Sequence, residues 1–246
     1  MMRMVALLGL CLLTTACSTT PGTPSDARAN DPWEPLNRKT FAFNEVVDDN
    51  LLVPVASTYR DVVPAPLRRV VGNFFGNLAD VWSTANHLLQ GKPRQGGEMG
   101  ARVIFNTTLG ALGLFDVATP MQLPRQPEDL GQTLGVWGIG NGPYLVLPLL
   151  GPSTVRDGTG VAANTWLASP AQLSDSSSGQ LGITALQIVD ARTAALDTSS
   201  FVTAVALDRY TFIRDAYLQR RQSQIDDGRP ASHFDDATDA AESAAE

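Results

Sequence analysis

The chain has 246 residues, a formal net charge of −7 and two cysteines, and this length allows one substantial domain. The stretch from Asp226 to Glu246 carries seven acidic residues and one basic residue, so the rest of the chain is nearly neutral and presents no basic field for nucleic acid. One cysteine lies in an apolar leader, so we expect the mature domain to fold without an internal disulfide.

The leader has the order of a secretory signal. Arg3 is followed by an apolar run from Val5 to Leu13 and then by small residues up to Ala16. The run is about 9 residues long, whereas a transmembrane helix needs about 20. The sequence therefore predicts a signal peptide over residues 1–16.

Cys17 stands directly after the small residues, and this arrangement resembles the processing signal of bacterial lipoproteins. Leu13 lies one position earlier than the leucine of that signal, whose place is taken by Thr14. The resemblance implies that Cys17 becomes the acylated first residue, and Ser18 after it implies sorting to the outer membrane. The alternative is an ordinary signal peptide cut near Ala16, with Cys17 left free.

Residues 17–30 are rich in Thr, Ser, Pro and Gly, which is typical of a flexible tether. A folded domain is expected over residues 31–228. Residues 229–246, rich in Ala, Asp and Ser, lack the apolar content to fold and are expected to form a disordered acidic tail.

The domain opens on a proline-containing helix start. Pro35 suits a first helical turn, apolar residues recur at helical spacing up to Val47, and Pro54 is expected to break the helix. The opening motif, followed by Phe43 and Asn44, resembles that of the MlaA (VacJ) lipoproteins of phospholipid transport. Its residues are Asp31, Pro32, Glu34, Asn37 and Arg38.

From Leu67 to Leu89 apolar residues recur every three or four positions over about six turns, which predicts a long amphipathic helix. Its stripe, with Phe74 and Phe75, is typical of a buried core. A helix that lies in a membrane interface or lines a lipid path is the alternative. A further helix is expected from Lys92 to Phe115, followed by a loop from Val117 to Gly135.

A glycine-rich segment, Gly131 to Tyr144, precedes an apolar stretch that is either core or partly inserted in a membrane. Proline and apolar residues follow the glycines instead of a helix start, so a phosphate-binding loop is not expected. The segment resembles the MlaA family most specifically, through Gly142, Pro143, Tyr144, Gly151, Arg156 and Asp157. Beyond it we expect a loop over 172–181 and helices over 183–196 and 199–225.

The chain offers little catalytic chemistry. His87 and His233 have no ligand spacing to another His or Cys, and no Gly-x-Ser-x-Gly motif is present. We therefore expect neither an enzyme nor a cofactor.

The resemblance to MlaA extends from about Asp31 to Gly228. It implies an all-α, ring- or disc-like bundle in the inner leaflet of the outer membrane, around an amphipathic channel. It implies that glycerophospholipids pass from the outer leaflet to a periplasmic carrier, MlaC, with a trimeric porin as partner. Side-chain type and motif position make the following residues channel candidates: Asn73, Phe74, Phe75, Arg102, Asn106, Leu109, Leu112, Leu114 and Phe115. A structural lipoprotein that scaffolds envelope proteins is the alternative.

Overall fold

The computed structural model describes residues 31–227, which form a mainly helical domain. The signal peptide, Cys17, the tether and the acidic tail lie outside the described residues. The α-helices are α1 (Glu34–Val47), α2 (Val53–Val62), α3 (Ala65–Leu89), α4 (Pro93–Thr108), α5 (Leu130–Val136), α6 (Val155–Leu167), α7 (Ser177–Ala194), α8 (Leu196–Val205) and α9 (Arg209–Ile225). A π-helical turn (Asp48–Leu52) joins α1 to α2, and a 3₁₀ turn (Pro170–Leu173) precedes α7.

The first two helices form one continuous rod. Pro54 lies in the first turn of α2, directly after a π-helical turn, and it does not end the rod as predicted. The π-helical turn between α1 and α2 takes up the irregularity instead.

The pair α3 and α4 forms the most extensive helix–helix contact of the described chain. Gly91 turns the chain between them with φ of +72°. Helix α4 ends at Thr108, seven residues before its predicted end, because Ala111, Leu112 and Gly113 all have positive φ. This left-handed backbone cannot continue an α-helix of L-residues.

Two short strands, which we did not predict, form a hairpin. β1 (Tyr144–Leu147) pairs antiparallel with β2 (Gly151–Thr154), and Tyr144 faces Thr154. Leu149 and Gly151 have positive φ at the turn. The apolar segment therefore forms a strand in which alternate residues, Tyr144 and Val146, are buried.

Polar caps explain the other boundaries that differ from the prediction. Asp129 caps α5 inside a segment expected to be a loop, and Ser176 starts α7 before its predicted start. The helix predicted over 199–225 is two helices, because Ala206 is extended and the Asp208 carboxylate accepts the N–H groups that open α9.

A small aromatic cluster forms the buried apolar centre. Tyr144, Val146 and Tyr210 pack with half-buried Phe41 and Tyr217. The Phe41 and Tyr210 rings meet edge to face at 5.6 Å, and this packing joins α1, the hairpin and α9.

Candidate functional site

Helix α3 is amphipathic, but its polar residues are buried and its apolar residues remain accessible. Its buried residues are all polar: Asn77, Asp80, Ser83, Asn86 and His87. Its exposed large apolar residues are Leu67, Val81, Leu88 and Leu89. A surface helix of a water-soluble protein shows the opposite arrangement. The expectation that the apolar stripe of α3 is core is not met, because none of its residues is fully buried: the four named above are exposed, and the others, such as Phe74 and Phe75, are half-buried.

The buried polar face of α3 is paired with Arg102 of α4. Arg102, 1% exposed, donates from Nε to Asp80 at 3.0 Å and from Nη2 to Asp116 at 2.6 Å. Its Nη1 donates to the Thr119 hydroxyl and to the Leu123 carbonyl. This one guanidinium therefore holds together α3, α4 and the loop that follows α4.

Asn106 closes the same loop one turn further along α4. Its Oδ1 accepts the backbone N–H groups of Val117 and Ala118, and its Nδ2 donates to Asp116. On α3, Asn73 donates to the carbonyl of Leu114. Side-chain amides thus satisfy backbone groups that irregular chain cannot pair with itself.

The two carboxylates of this cluster respond differently to their surroundings. Burial raises the pKa of Asp80, although Arg125 and Arg102 oppose the shift. Burial acts in the same direction on Asp116, but hydrogen bonds from Thr119 and Arg102 outweigh it and hold the Asp116 pKa well below its usual range. Asp116 is therefore an ionised partner of Arg102 at neutral pH.

The candidate channel residues fall into two groups. Leu109, Leu112 and Phe115 are more than half exposed, and Asn73, Phe74, Phe75 and Leu114 are partly buried beside them. Arg102 and Asn106 are buried, and their side chains form hydrogen bonds with other groups of the protein. In this arrangement they position the loop and offer no free polar group to a headgroup.

A second buried ionic cluster lies where α5, α6 and α9 meet. Asp157 accepts from Arg156, from Arg221 at 2.9 Å and from the Tyr217 hydroxyl at 2.8 Å. Arg221 also forms a pair of hydrogen bonds with Asp129. Burial favours the neutral acids, but the hydrogen bonds from Arg221 dominate and lower the pKa of both Asp129 and Asp157.

The opening motif docks onto the hairpin and α9. Asn37, fully buried, donates to Asp31 and to the Tyr144 carbonyl and accepts from the Val146 N–H. Asp31 also accepts from the Tyr210 hydroxyl. The N-terminal motif is thus joined to segments more than 100 residues away.

The other motif residues serve the same junctions. Arg38 joins Glu34 to Asp208, the cap of α9. Pro32 lies in the turn before α1. Gly142 (φ +65°) and Gly151 (φ +85°) adopt backbone that favours glycine, and the carbonyl of Pro143 accepts the N–H of Val155. The family motif residues therefore shape the fold around the hairpin.

Two adjoining pockets lie between the rod of α1 and α2 on one side and helices α7, α8 and α9 on the other, and the hairpin turn borders the second. The first, the charged pocket, has a volume of about 420 Å³ and is lined by Asp48, Asp49, Arg60, Arg192, Asp197 and Arg209 with several hydroxyls. The second, the apolar pocket, has about 340 Å³ and is lined on one side by Phe41, Val47, Leu52, Leu149, Leu150 and Ile213. Asp48, Arg192, Ser199 and Arg209 line both.

Sequence reasoning missed these pockets. Arg192 forms a two-point ion pair with Asp48, 144 residues earlier, and Arg209 pairs with Glu45. Neither arginine stands in a local motif, so no spacing along the chain signals the pairs. The segments meet only because the rod of α1 and α2 packs along α7 and α9.

The inversion seen in α3 extends over the domain. Within residues 31–227, seven apolar side chains are buried, against nineteen polar or charged ones and thirty-three exposed large apolar ones. Monomeric proteins in water rarely expose large apolar patches. Within the same residues, no helix combines the length and hydropathy needed to cross a bilayer.

A comparison with protein families matches residues 29–224 to the MlaA lipoprotein model. The chain belongs to the MlaA lipoprotein family. The match spans the opening motif, the inverted helix, the hairpin and both ionic clusters. The resemblance stated from the motifs is therefore confirmed, and so is the mainly helical fold.

Relatives in the MlaA family cover most of the chain. The intermembrane phospholipid transport system lipoprotein MlaA of Escherichia coli (strain K12) is 36% identical over 89% of this chain and 87% of its own. Its counterpart from Haemophilus influenzae is 30% identical over 87% of each chain. A solved structure described as the structural basis for maintenance of bacterial outer membrane lipid asymmetry superposes with a TM-score of 0.70 at 36% identity, over 79% of this chain and 98% of its own.

Proposed function

We propose that this protein transports phospholipids between the membranes of the bacterial envelope. Specifically, it removes glycerophospholipids that have reached the outer leaflet of the outer membrane and so maintains lipid asymmetry. Membership in the MlaA family over nearly the whole described domain supports this function.

The physical basis of the proposal is the burial of polar residues and the exposure of apolar ones. A phospholipid has an apolar tail and a polar headgroup, and it crosses a protein only where both meet suitable surroundings. The apolar exterior suits contact with acyl chains, whereas the buried ionic clusters keep a shape that apolar packing alone does not provide. Contact with a membrane would give the apolar exterior of the domain surroundings that water does not provide.

The anchor belongs to the same proposal. Acylation of Cys17 would place the domain on the inner leaflet of the outer membrane. One acyl chain gives only marginal attachment, so several chains at one cysteine, together with the apolar surface, would make it durable.

The lipid path would use the candidates that remain accessible. Leu109, Leu112, Leu114 and Phe115 would contact acyl chains together with Phe74 and Phe75, and Asn73 would lie at the polar margin. Arg102 and Asn106 would act indirectly, since they fix the loop that carries these apolar residues.

The remaining steps need partners. A trimeric porin would hold the protein beside the outer leaflet, and a soluble carrier such as MlaC would receive the lipid. The predicted loop from Thr119 to Gly135, whose last part forms α5, is the proposed porin contact, since it lies next to the apolar loop. Transfer down a gradient breaks no covalent bond, so the protein would work without catalysis.

The test measures phospholipid in the outer leaflet of cells that lack the gene. We expect a rise that the wild-type gene reverses and that Cys17→Ala fails to reverse. Crosslinks from residues 119–135 to porin test the partner. An unchanged leaflet together with misassembled envelope proteins would contradict lipid transport and favour the scaffold alternative.

A further inference from the structure

The charged pocket is electrically balanced. Three carboxylates, Asp48, Asp49 and Asp197, line it together with three guanidiniums, Arg60, Arg192 and Arg209. Arg192 contacts Asp48 at 2.6 and 2.8 Å, and Arg60 contacts Asp197 at 3.3 Å. The pocket therefore offers charges of both signs in one place rather than a field of one sign.

Two donors in this pocket lack a partner. Nη1 of Arg192 and Nε of Arg209 are shielded from solvent and donate to no acceptor of the described structure. Nearly all buried hydrogen-bond donors in proteins have an acceptor, so two donors without one require an explanation. Both belong to residues that line the charged pocket and the apolar pocket, so a small rotation of either guanidinium would present its donor to an acceptor at the boundary of the two.

The balance of charge restricts which ligand fits. An anionic headgroup that drew Arg192 or Arg209 toward itself would weaken their pairs with Asp48 and Glu45, and would leave a carboxylate without its cation. A headgroup that carries its own cation compensates that loss. A primary ammonium does so best, because it brings three hydrogen-bond donors to the carboxylates.

We propose that these two pockets bind a zwitterionic phospholipid of the phosphoethanolamine type. The phosphate lies between Arg192 and Arg209 beside Ser199, the ammonium meets Asp49 and Asp197, and an acyl chain occupies the apolar pocket along Leu52, Leu150 and Ile213. This inference rests on the proposed transport function and adds the headgroup class.

The test uses the full-length protein in detergent and short-chain lipids titrated by calorimetry at low ionic strength. The probes are dihexanoyl phosphatidylethanolamine, phosphatidylcholine and phosphatidylglycerol. The wild type is expected to bind the ethanolamine lipid most tightly. The choline headgroup has no N–H donor, and the glycerol headgroup has no positive charge.

Charge variants make the test specific. Asp49→Asn combined with Asp197→Asn removes two exposed carboxylates, so folding is preserved. This double variant is expected to weaken the binding of the ethanolamine lipid by roughly three- to tenfold and to strengthen the binding of phosphatidylglycerol. Asp175→Asn removes an exposed carboxylate outside both pockets and is expected to change neither. Arg192→Gln is expected to weaken the binding of all three lipids.

Equal affinities for the three lipids in the wild type would overturn the headgroup assignment while leaving phospholipid transport intact. A double variant that behaves like Asp175→Asn would do the same. Binding of none of the lipids would contradict both this inference and the proposed function.

Discussion

Arg221 of α9 and Asp157 of α6 form a buried ion pair across 64 residues of sequence, with Nη2 to Oδ1 at 2.9 Å and Nε to Oδ2 at 3.0 Å. The same guanidinium binds Asp129, the cap of α5. One side chain thus fixes three helices relative to one another. In a domain with few buried apolar residues, this junction is a main determinant of the fold.

Replacement of Arg221 by Met is expected to lower the free energy of unfolding by about 3–5 kcal/mol, because Asp157 and Asp129 lose the cation that compensates their burial. Chemical denaturation of the full-length protein in detergent, followed by circular dichroism, measures the change. Arg94→Met, at an exposed pair with Glu98, is the matched control and is expected to have little effect. Equal effects of the two variants would show that the buried junction has no special role.

The same pair makes stability depend on pH. Arg221 lowers the folded-state pKa of Asp129 and Asp157 below the value of about 3.9 in the unfolded chain, so the stability they contribute is present above about pH 4 and is lost as the pH falls through the folded pKa values. Asp80 opposes this trend, because burial raises its pKa and its protonation favours the folded state.

The acid dependence of the unfolding free energy, measured between pH 7 and pH 3, is expected to be steeper in the wild type than in Arg221→Met. Parallel curves would mean that Arg221 does not control the ionisation of these carboxylates.

The loop after α4 has one position that only glycine fits and one that is strained. A Cβ on Gly110 would lie 2.1 Å from the Phe115 carbonyl oxygen and 2.4 Å from that of Asn106, so Gly110→Ala is expected to destabilise the protein. Leu112 has φ of +61°, and Leu112→Gly is expected to stabilise it by about 1 kcal/mol. Thermal unfolding of both variants checks these signs, and a stabilised Gly110→Ala would show that the loop rearranges freely.

The exposed apolar face of α4 and its loop is expected to bind membrane. Ile104→Asp combined with Leu109→Asp keeps the fold, since both side chains are more than half exposed, but weakens association with phospholipid vesicles at least tenfold. Flotation of the unacylated Cys17→Ala protein isolates this contribution from the anchor. Ser178→Asp adds a charge at an exposed polar position and serves as the control. Undiminished flotation of the double variant would place the membrane contact elsewhere.

The sequence was informative where chemistry is local. Helical spacing identified α3 and the greater part of α4, and separated motifs identified the MlaA family across the domain. Prediction was poorest where the backbone leaves regular geometry. Helix α4 stops early at three residues of positive φ, and the hairpin around Leu149 interrupts the helices. Positive φ in residues such as Ala111 and Leu112 has no signature in residue type.

The chain by itself determined where the long helices lie, which family they belong to and that the net charge outside the tail is close to zero. Only the tertiary structure decided which face of α3 is inside, because a periodic stripe has the same spacing whether water or lipid lies on its apolar side. It also decided that Arg102 and Asn106 hold a loop and that Arg192 meets Asp48. Such pairs join residues that are distant in sequence, and only the packing of helices brings their charges within reach.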